Sequence, residues 1–406
     1  MKSLIYFEIK KILERKLNVI AMLTGYIIIA IAAYVLVAQC NFYDAETGSW
    51  MYGIEAIRAD EEKNRALTDY LTEEYLTGLV EDIQARDLDL STDAGWAQVV
   101  RPINDLFMVL EQNYEEVGAY GNYNLINQIP TEGGIRFYER RIEKVENYLG
   151  QDSFFMNYSE AEKDFWLTKL QKVDTPFRWG SLAGMDIVMT MIQLCFYALF
   201  VIAVCISPVF ASEYESGAAA LLLTTKHGKG RLIGAKILAA VLFALLYMAL
   251  GIFISVVFIG GITGFSGAEL PIQLWGTVIP YNWSVGQTCF ANVGIMLLLA
   301  LSVALVTALL SSRGKGSLSS LVVMFVLLMG PAFLPGSADS KLWNQILYLM
   351  PFRILAVERV MGTFNSYRIG PLVLSYLGMI VLVYICVCVA SLLLAKGGFA
   401  KHQVRS

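Results

Sequence analysis

The chain has 406 residues, of which 56% are hydrophobic and only 16% charged, a balance that excludes an ordinary soluble domain and points to an integral membrane protein. Its formal net charge of -4 hides two opposite populations: residues 41–186 hold 28 Asp and Glu against 13 Lys and Arg, and the remainder holds 7 against 18. No nucleic-acid partner is expected of such a sequence.

Near the amino terminus, Ile5, Ile9, Ile12 and Leu13 fall on one helical stripe, with Lys10, Lys11, Glu14 and Arg15 opposite. That pattern predicts a helix lying flat on the inner membrane face or extending the first span. A hydrocarbon core about 30 Å thick needs roughly 20 apolar residues. Six runs reach or approach that length: Leu17 to Val37, Ile187 to Phe210, Leu232 to Ile259, Val293 to Leu310, Leu318 to Phe333 and Leu372 to Leu394. The fifth is the weakest, being short and ending at Gly330-Pro331. Sixteen charged, amphipathic residues precede a first run too long for a signal core, so a cleaved signal peptide is not expected. The V-A-Q-C stretch ending at Cys40 is a poor lipoprotein site, because Gln39 stands before the bond.

Cytoplasmic loops carry the excess of Lys and Arg. Lys2, Lys10, Lys11, Arg15, Lys16, Lys226, Lys229, Arg231, Lys236, Arg313, Lys315, Lys396, Lys401 and Arg405 all fall on one side under six spans. Both termini are then cytoplasmic and residues 41–186 lie outside. The expected fold class is an all-α membrane protein, with residues 1–40 forming the flat helix and first span. Residues 41–186 form a mainly helical external domain, and residues 187–406 hold spans two to six.

The external segment is too long for a loop. Leu67, Tyr70, Leu71, Tyr75, Leu79 and Ile83 predict one helix face, and Ile135, Tyr138, Ile142, Val145 and Leu149 another. Ser159 with Glu162 predicts a capping box opening a helix through Phe165, Trp166 and Leu170. Turns are expected at Asp93 to Gly95 and Thr131 to Gly134. Acidic neighbours such as Glu73-Glu74 and Glu115-Glu116 diverge on a helix and read as a solvated face rather than a catalytic pair. All seven tryptophans fall in outside segments; the membrane interface accounts for Trp179 and Trp283, whereas the others suit a soluble core equally well. Cysteines at 40, 195, 205, 289, 386 and 388 read as small apolar residues, and only Cys40 and Cys289 could meet outside.

Between the second and third runs lies a joint, Ser207 to Lys236. Its first half is a short amphipathic helix with Glu213 and Glu215; its second half is cationic and Gly-punctuated, with Thr225, Lys226, His227, Lys229 and Arg231. The Gly260 to Pro280 connection has no basic residue. Between the fifth and sixth runs, residues 334–370 read as an outside re-entrant region with a short interfacial helix near Ile354, Leu355 and Val357. A charge at the bilayer centre costs roughly 2.5–3.5 kcal/mol, so Arg353, Glu358 and Arg359 belong at the headgroups or in pairs, or line a substrate path.

No phosphate-cradling loop is present: Gly228-Lys229-Gly230 and Gly314-Lys315-Gly316-Ser317 both lack the earlier glycine of that motif and follow no strand. The histidines, His227 and His402, are too far apart in sequence to suggest a zinc site or triad. Ionisable residues are nearly absent from the runs, which argues against a midplane proton or ion relay. Movement must be imposed on this chain from outside it.

Phe210-Ala211-Ser212-Glu213, Gly217, the Leu221 to Thr224 run and Lys236 resemble the signature of type-2 ABC transporter permeases (ABC-2 exporters). The layout of flat helix, six spans, joint and re-entrant region is similar as well. The resemblance covers the membrane portion; the insertion at 41–186 is like that of family branches with an external domain. It departs after the Leu run, where Thr225-Lys226-His227 stand in place of Pro and a basic residue. The resemblance implies that the joint is a coupling helix seated on a separate ABC ATPase subunit, two copies per complex, with a second permease copy, the same or similar. ATP and Mg would reside on that partner, with no cofactor and no catalysis on this chain. Glu213, Tyr214, Glu215, Gly217, Thr225, Lys226, Lys229, Arg231 and Lys236 are then the coupling residues: Glu213 faces the ATPase or caps its helix, Gly217 allows close approach, and the basic cluster meets lipid phosphates or the partner. The location implied is a bacterial-type plasma membrane, with the cargo unassigned among peptide, lipid, drug and ion. Two rival readings are a membrane-anchored sensor or assembly factor with an external ligand-binding domain, and, least supported, a membrane enzyme acting on lipid or peptidoglycan.

Overall fold

The structure, a computed structural model, describes all residues except 45–46, 116–122, 152–156, 219–220, 222–229, 315, 338–339 and 401–406. Helix α1 (Lys2–Glu14) is separated from α2 (Lys16–Gln39) at Arg15, whose ψ of 119° is extended and breaks the helical hydrogen-bond ladder. The two are therefore separate helices, and α1 is not an unbroken extension of the first span. Strands β1 (Asn41–Asp44) and β2 (Ser49–Tyr52) form an antiparallel pair with Asn41 opposite Tyr52.

The inserted domain follows with α3 (Ile54–Leu67), β3 (Tyr70–Leu71), α4 (Glu73–Ala85) and the single turn α5 (Asp93–Gly95). A wide π turn (Trp96–Val100) and a 3-10 turn (Arg101–Ile103) lead into α6 (Asn104–Tyr114). Helices α7 (Phe137–Gly150) and α8 (Glu160–Gln171) complete it, and β4 (Phe177–Arg178) pairs with β3. The single face expected from Leu67 to Ile83 is broken. Thr68 is extended, and the Thr72 hydroxyl accepts the Tyr75 amide at 3.2 Å to start α4 afresh. The buried set there becomes Leu71, Leu76, Val80 and Ile83, because the new start rotates the helix relative to its predecessor. Likewise the turn expected at Asp93 to Gly95 is helical. The Ser159–Glu162 capping box and the turn at Thr131 to Gly134 occur as read.

The helices of the membrane portion are α9 (Ala183–Leu194), α10 (Tyr197–Ile206), α11 (Pro208–Glu215), α12 (Arg231–Thr263), α13 (Val285–Arg313), α14 (Ser317–Phe333), α15 (Lys341–Tyr348), α16 (Val357–Met361) and α17 (Tyr376–Ala400). Five segments are long and apolar enough to cross a membrane: Lys16–Gln39, Ala183–Glu215, Arg231–Thr263, Val285–Arg313 and Tyr376–Lys396. Helix α14, with 17 residues, is about 25 Å long at 1.5 Å per residue and falls short of the hydrocarbon thickness. The last span starts at Tyr376 rather than Leu372, because β5 (Ser366–Ile369) and β6 (Leu372–Ser375) turn back on each other across Gly370, whose φ is +62°. The chain is thus mainly helical with three two-stranded pairs among the described residues, not wholly α.

One apolar core runs through the bundle and continues into the inserted domain through Ile57, Val145, Leu149, Trp166 and Leu170. A second core belongs to the domain and takes in Leu270 and Leu274 from the α12–α13 connection. Trp179 lies in it, 5% exposed, so this indole is a core residue and not a membrane-interface one. Arg141, 2% exposed, ties these layers: its guanidinium donates to Leu170 O at 3.2 Å and Thr277 O at 3.4 Å and stacks over Phe177. Asp174 and Asn282 bond each other, and Ser366 donates to Glu162 at 2.7 Å. The domain is stapled to both later connections. Inside the bundle, the absence of a Cβ at Gly25 admits the Tyr247 hydroxyl, which donates to Met22 O at 3.1 Å. All six cysteines are free thiols.

Trp166 is fully buried against Tyr281 and Phe364, where domain and bundle meet. Trp166→Ala is expected to cost about 3–5 kcal/mol, read as a lower thermal midpoint of the purified chain. Burial holds the Lys144 ammonium down to about 8. Between that value and the free lysine value of about 10.4 the unfolded chain binds more protons, so stability rises with pH through that window. The thermal midpoint should climb from pH 8 towards 10, and less so in Lys144→Met.

Candidate functional site

The joint begins with Pro208, whose fixed φ and missing N–H suit the first turn of a helix. Ser207 keeps helical angles (φ -50°, ψ -33°), so α11 continues the second span instead of forming a separate surface helix. Its residues Pro208, Val209, Phe210, Ala211 and Glu213 are buried. The helix ends at Gly217, whose φ of +72° is a left-handed conformation that a Cβ disfavours; the Gly217 amide returns to Tyr214 O at 3.2 Å. Nothing lies within 4 Å of the space a Cβ would take there, so Gly217 serves the turn and not a close approach within the chain.

Glu213 and Lys236 meet inside the protein. The Lys236 ammonium, 1% exposed, lies 2.6 Å from Glu213 Oε1 and 2.9 Å from Glu8 Oε2, and donates to Val209 O at 3.1 Å. Its charge also stands over the Phe210 ring, 5.8 Å from the centroid. Both carboxylates are 6% exposed, and Lys11 reaches them at 3.3 Å (Glu8) and 3.8 Å (Glu213). Two anions therefore share one buried cation and one half-exposed one. Asn18 completes this corner, donating to Ile12 O at 2.8 Å and Cys205 O at 3.3 Å. Three elements distant in sequence, α1, α11 and the start of α12, are joined through one ammonium.

The other face of α11 is held by α13 and α14. The Ser311 hydroxyl accepts the amides of Phe210 (3.1 Å) and Ala211 (3.0 Å) and donates to Ser207 O at 2.7 Å. Tyr214 donates to Ser312 O at 3.0 Å. Glu215, exposed, accepts the Ser317 amide at 2.8 Å and hydroxyl at 3.1 Å, and so caps the positive end of α14.

Of the residues read from the sequence, the structure brings Glu213 and Lys236 together and sets Tyr214 and Glu215 against α13 and α14. Glu213 points at Lys236 rather than out of the protein or at its own helix end. Arg231 is exposed at the first position of α12. Thr225, Lys226 and Lys229 lie outside the described residues. At the other end of the bundle, Glu358 accepts both Nε2 bonds from Gln193 (3.0 and 3.1 Å) on α9, Arg353 donates to Leu334 O at 2.9 Å, and Arg359 is exposed. No ion pair within 4 Å links these three among the described residues, so they form no single charged cluster. Glu8, Asn18 and Ser311 were not singled out by the sequence, and Lys11 stood out only as a basic residue of the first helix and of the cytoplasmic side. Glu8 had a signal: an acid on the apolar side of an amphipathic helix, four residues before Ile12.

Removing one partner of a buried ion pair leaves an uncompensated charge at a cost of about 3–5 kcal/mol, whereas replacing all partners by neutral groups is close to neutral. Lys236→Met should therefore lower the thermal midpoint sharply, and the triple variant Glu8→Gln, Glu213→Gln, Lys236→Met should recover most of the loss. A triple variant no more stable than Lys236→Met would contradict this balance.

A family model described as ABC-2 family transporter protein matches residues 69–399. No curated protein matches the chain.

Proposed function

Because the chain belongs to the ABC-2 family of transporter proteins, we propose that it is the membrane-spanning permease of an ATP-driven exporter whose ATP is hydrolysed on a separate ABC ATPase subunit. The chain is a multi-pass membrane protein. In this reading it works as a dimer with a second permease, alike or similar, beside two ATPase copies that carry ATP and Mg. The basic end, with both termini and the joint, lies in the cytoplasm; the acidic domain lies outside the plasma membrane. The chain itself performs no covalent chemistry.

The observation that carries the proposal is the charge cluster around Lys236. A pull on the joint can move a span only if the two are mechanically one body. Lys236, Glu213 and Glu8 make α1, α11 and the first turns of α12 such a body. Ser311 and Glu215 extend it to the ends of α13 and α14. The coupling surface is then what the cluster leaves outside: Glu215, Ser216, Gly217, Leu221 (74% exposed) and Arg231. A cation at a helix N-terminus is disfavoured by the helix dipole, so Arg231 at the head of α12 finds its stabilisation in lipid phosphates or a partner carboxylate. ATP binding that closes the ATPase pair shifts the permease between inward- and outward-open states through its differential affinity for them. Glu213 and Lys236 transmit that movement from within rather than touching the ATPase.

A photo-reactive amino acid at Leu221 should form an adduct with a nucleotide-binding subunit in native membranes, and the same probe at Trp50, exposed in the β1–β2 pair, should not. Repeated absence of that adduct at Leu221, with the protein correctly inserted, would count against the coupling role.

A further inference from the structure

Between α2, α9 and α12, in the half of the bundle next to the inserted domain, lies an apolar slot of about 460 Å³. Small side chains on α2, Ala30, Ala33 and Ala38, make room for it, and Ile254, Phe258 and Ile262 of α12 form the other wall. Ala33 is buried, whereas Ile254 and Phe258 are 45% and 55% exposed, so the slot is open along its side. The hydroxyls of Tyr26 and Ser255 on its walls are taken up by Tyr247 O at 3.2 Å and Gly251 O at 2.8 Å, which leaves hydrocarbon as the lining.

The slot runs from Tyr26, near the middle of α2, to Ala38 at its end. Those residues span about 18 Å at 1.5 Å each, close to the depth of one leaflet, about half of the 30 Å hydrocarbon core. A space of that volume drawn out over that length has the width of one hydrocarbon chain. A helix with its side chains, about 10–12 Å across, is too wide to enter.

Its mouth is at Gly53 and Ile54, where the β1–β2 pair ends and α3 begins. Trp50 and Tyr52 beside it are 50% and 63% exposed, as aromatic rings at head-group level are. Arg58 stands one turn beyond Ile54 on the same face of α3, and side chains on a helix lean towards its N-terminus, which here is the mouth. Arg58 is exposed and has no ion-pair partner within 4 Å among the described residues. Glu55 and Glu62, its neighbours one turn to either side, are exposed as well. One cation between two carboxylates at the rim of a chain-wide slot complements a phosphate that carries an ammonium. Residues 41–186, with 28 acids against 13 bases, repel a lipid of net negative charge.

We propose that the slot holds one acyl chain of a phosphatidylethanolamine-type phospholipid from the adjoining leaflet, with its phosphate on Arg58 and its ammonium between Glu55 and Glu62. The lipid then bridges α2, α12 and the foot of α3. This site needs neither the ATPase nor the Lys236 cluster.

Photo-labelling of the full chain in phosphatidylcholine nanodiscs, with a trace of phosphatidylethanolamine bearing a diazirine in one acyl chain, tests the site by peptide mass spectrometry. Adducts should concentrate on the α2 and α12 peptides that hold Ala33 and Phe258. A charge-assisted hydrogen bond contributes about 1.5–3 kcal/mol, or roughly tenfold in affinity and upwards, so unlabelled phosphatidylethanolamine should displace the probe about tenfold better than phosphatidylglycerol or diacylglycerol. Arg58→Gln should lower labelling of the slot by a similar factor, while Arg65→Gln, two turns further from the mouth, leaves it unchanged. Ala30→Phe and Ala38→Phe, at exposed positions, should fill the slot and abolish its adducts but not those on α17; if one variant does not fold, the other carries the test. Adducts spread evenly over α14 and α17 as over the slot would mean surrounding bulk lipid only and would overturn the assignment. So would equal competition by the three lipids, unchanged labelling in folded Arg58→Gln, or a slot that labels only after two copies of the chain are separated.

Discussion

A lysine ammonium in the interior has to be neutralised where it stands, because taking it from water costs several kcal/mol even after relaxation. Lys236 is that group here, and the positions of α1, α11 and α12 follow from it. Glu213 and Glu8 approach from two different elements, and neither could withdraw without leaving the other charges exposed to a low dielectric. The result is less a source of net stability than of uniqueness: hydrophobic packing alone would tolerate α1 sliding along α12, whereas a 2.6 Å and a 2.9 Å ion contact do not. The half-exposed Lys11 balances the second anion, so two cations stand against two anions in the cluster.

From that corner the architecture extends in a consistent way. Ser311 fastens the start of α11 to α13, and Glu215 fastens its end to α14, so the basic end of the bundle behaves as one plate. At the opposite end the inserted domain is continuous with the bundle core through Trp166 and Arg141 rather than tethered by a linker. The exposed apolar faces of α2 (Leu23, Ile27, Ile31) and α14 (Val322, Phe325, Val326) are natural in hydrocarbon and would be a liability in water.

Much of this was legible in the sequence, and the reason differs from part to part. Span lengths follow from hydrophobic runs because the bilayer sets the length, and the Ser159–Glu162 cap follows from a local rule. The break at Thr68 was invisible because residues 67–83 satisfy helical periodicity on either side of it, and only the pairing of Leu71 with Phe177 explains the extended residues between. Strand β6 hid in an apolar run for the same reason. The motif drew attention to Glu213 and Lys236, but their contact spans 23 positions and the mediating Glu8 lies more than 200 residues from Lys236, beyond the reach of spacing arguments. The positive φ of Gly217, which by itself favours glycine there, leaves no mark in the spacing of the motif.

Pulsed dipolar spectroscopy between spin labels at Tyr6 on α1 and Ser212 on α11, both exposed, tests the central claim that the Lys236 cluster makes these elements one body. The wild-type protein should give a single narrow distance distribution, and Lys236→Met a broad one. Identical distributions in the two proteins would mean that packing, not the shared ammonium, holds the joint in place.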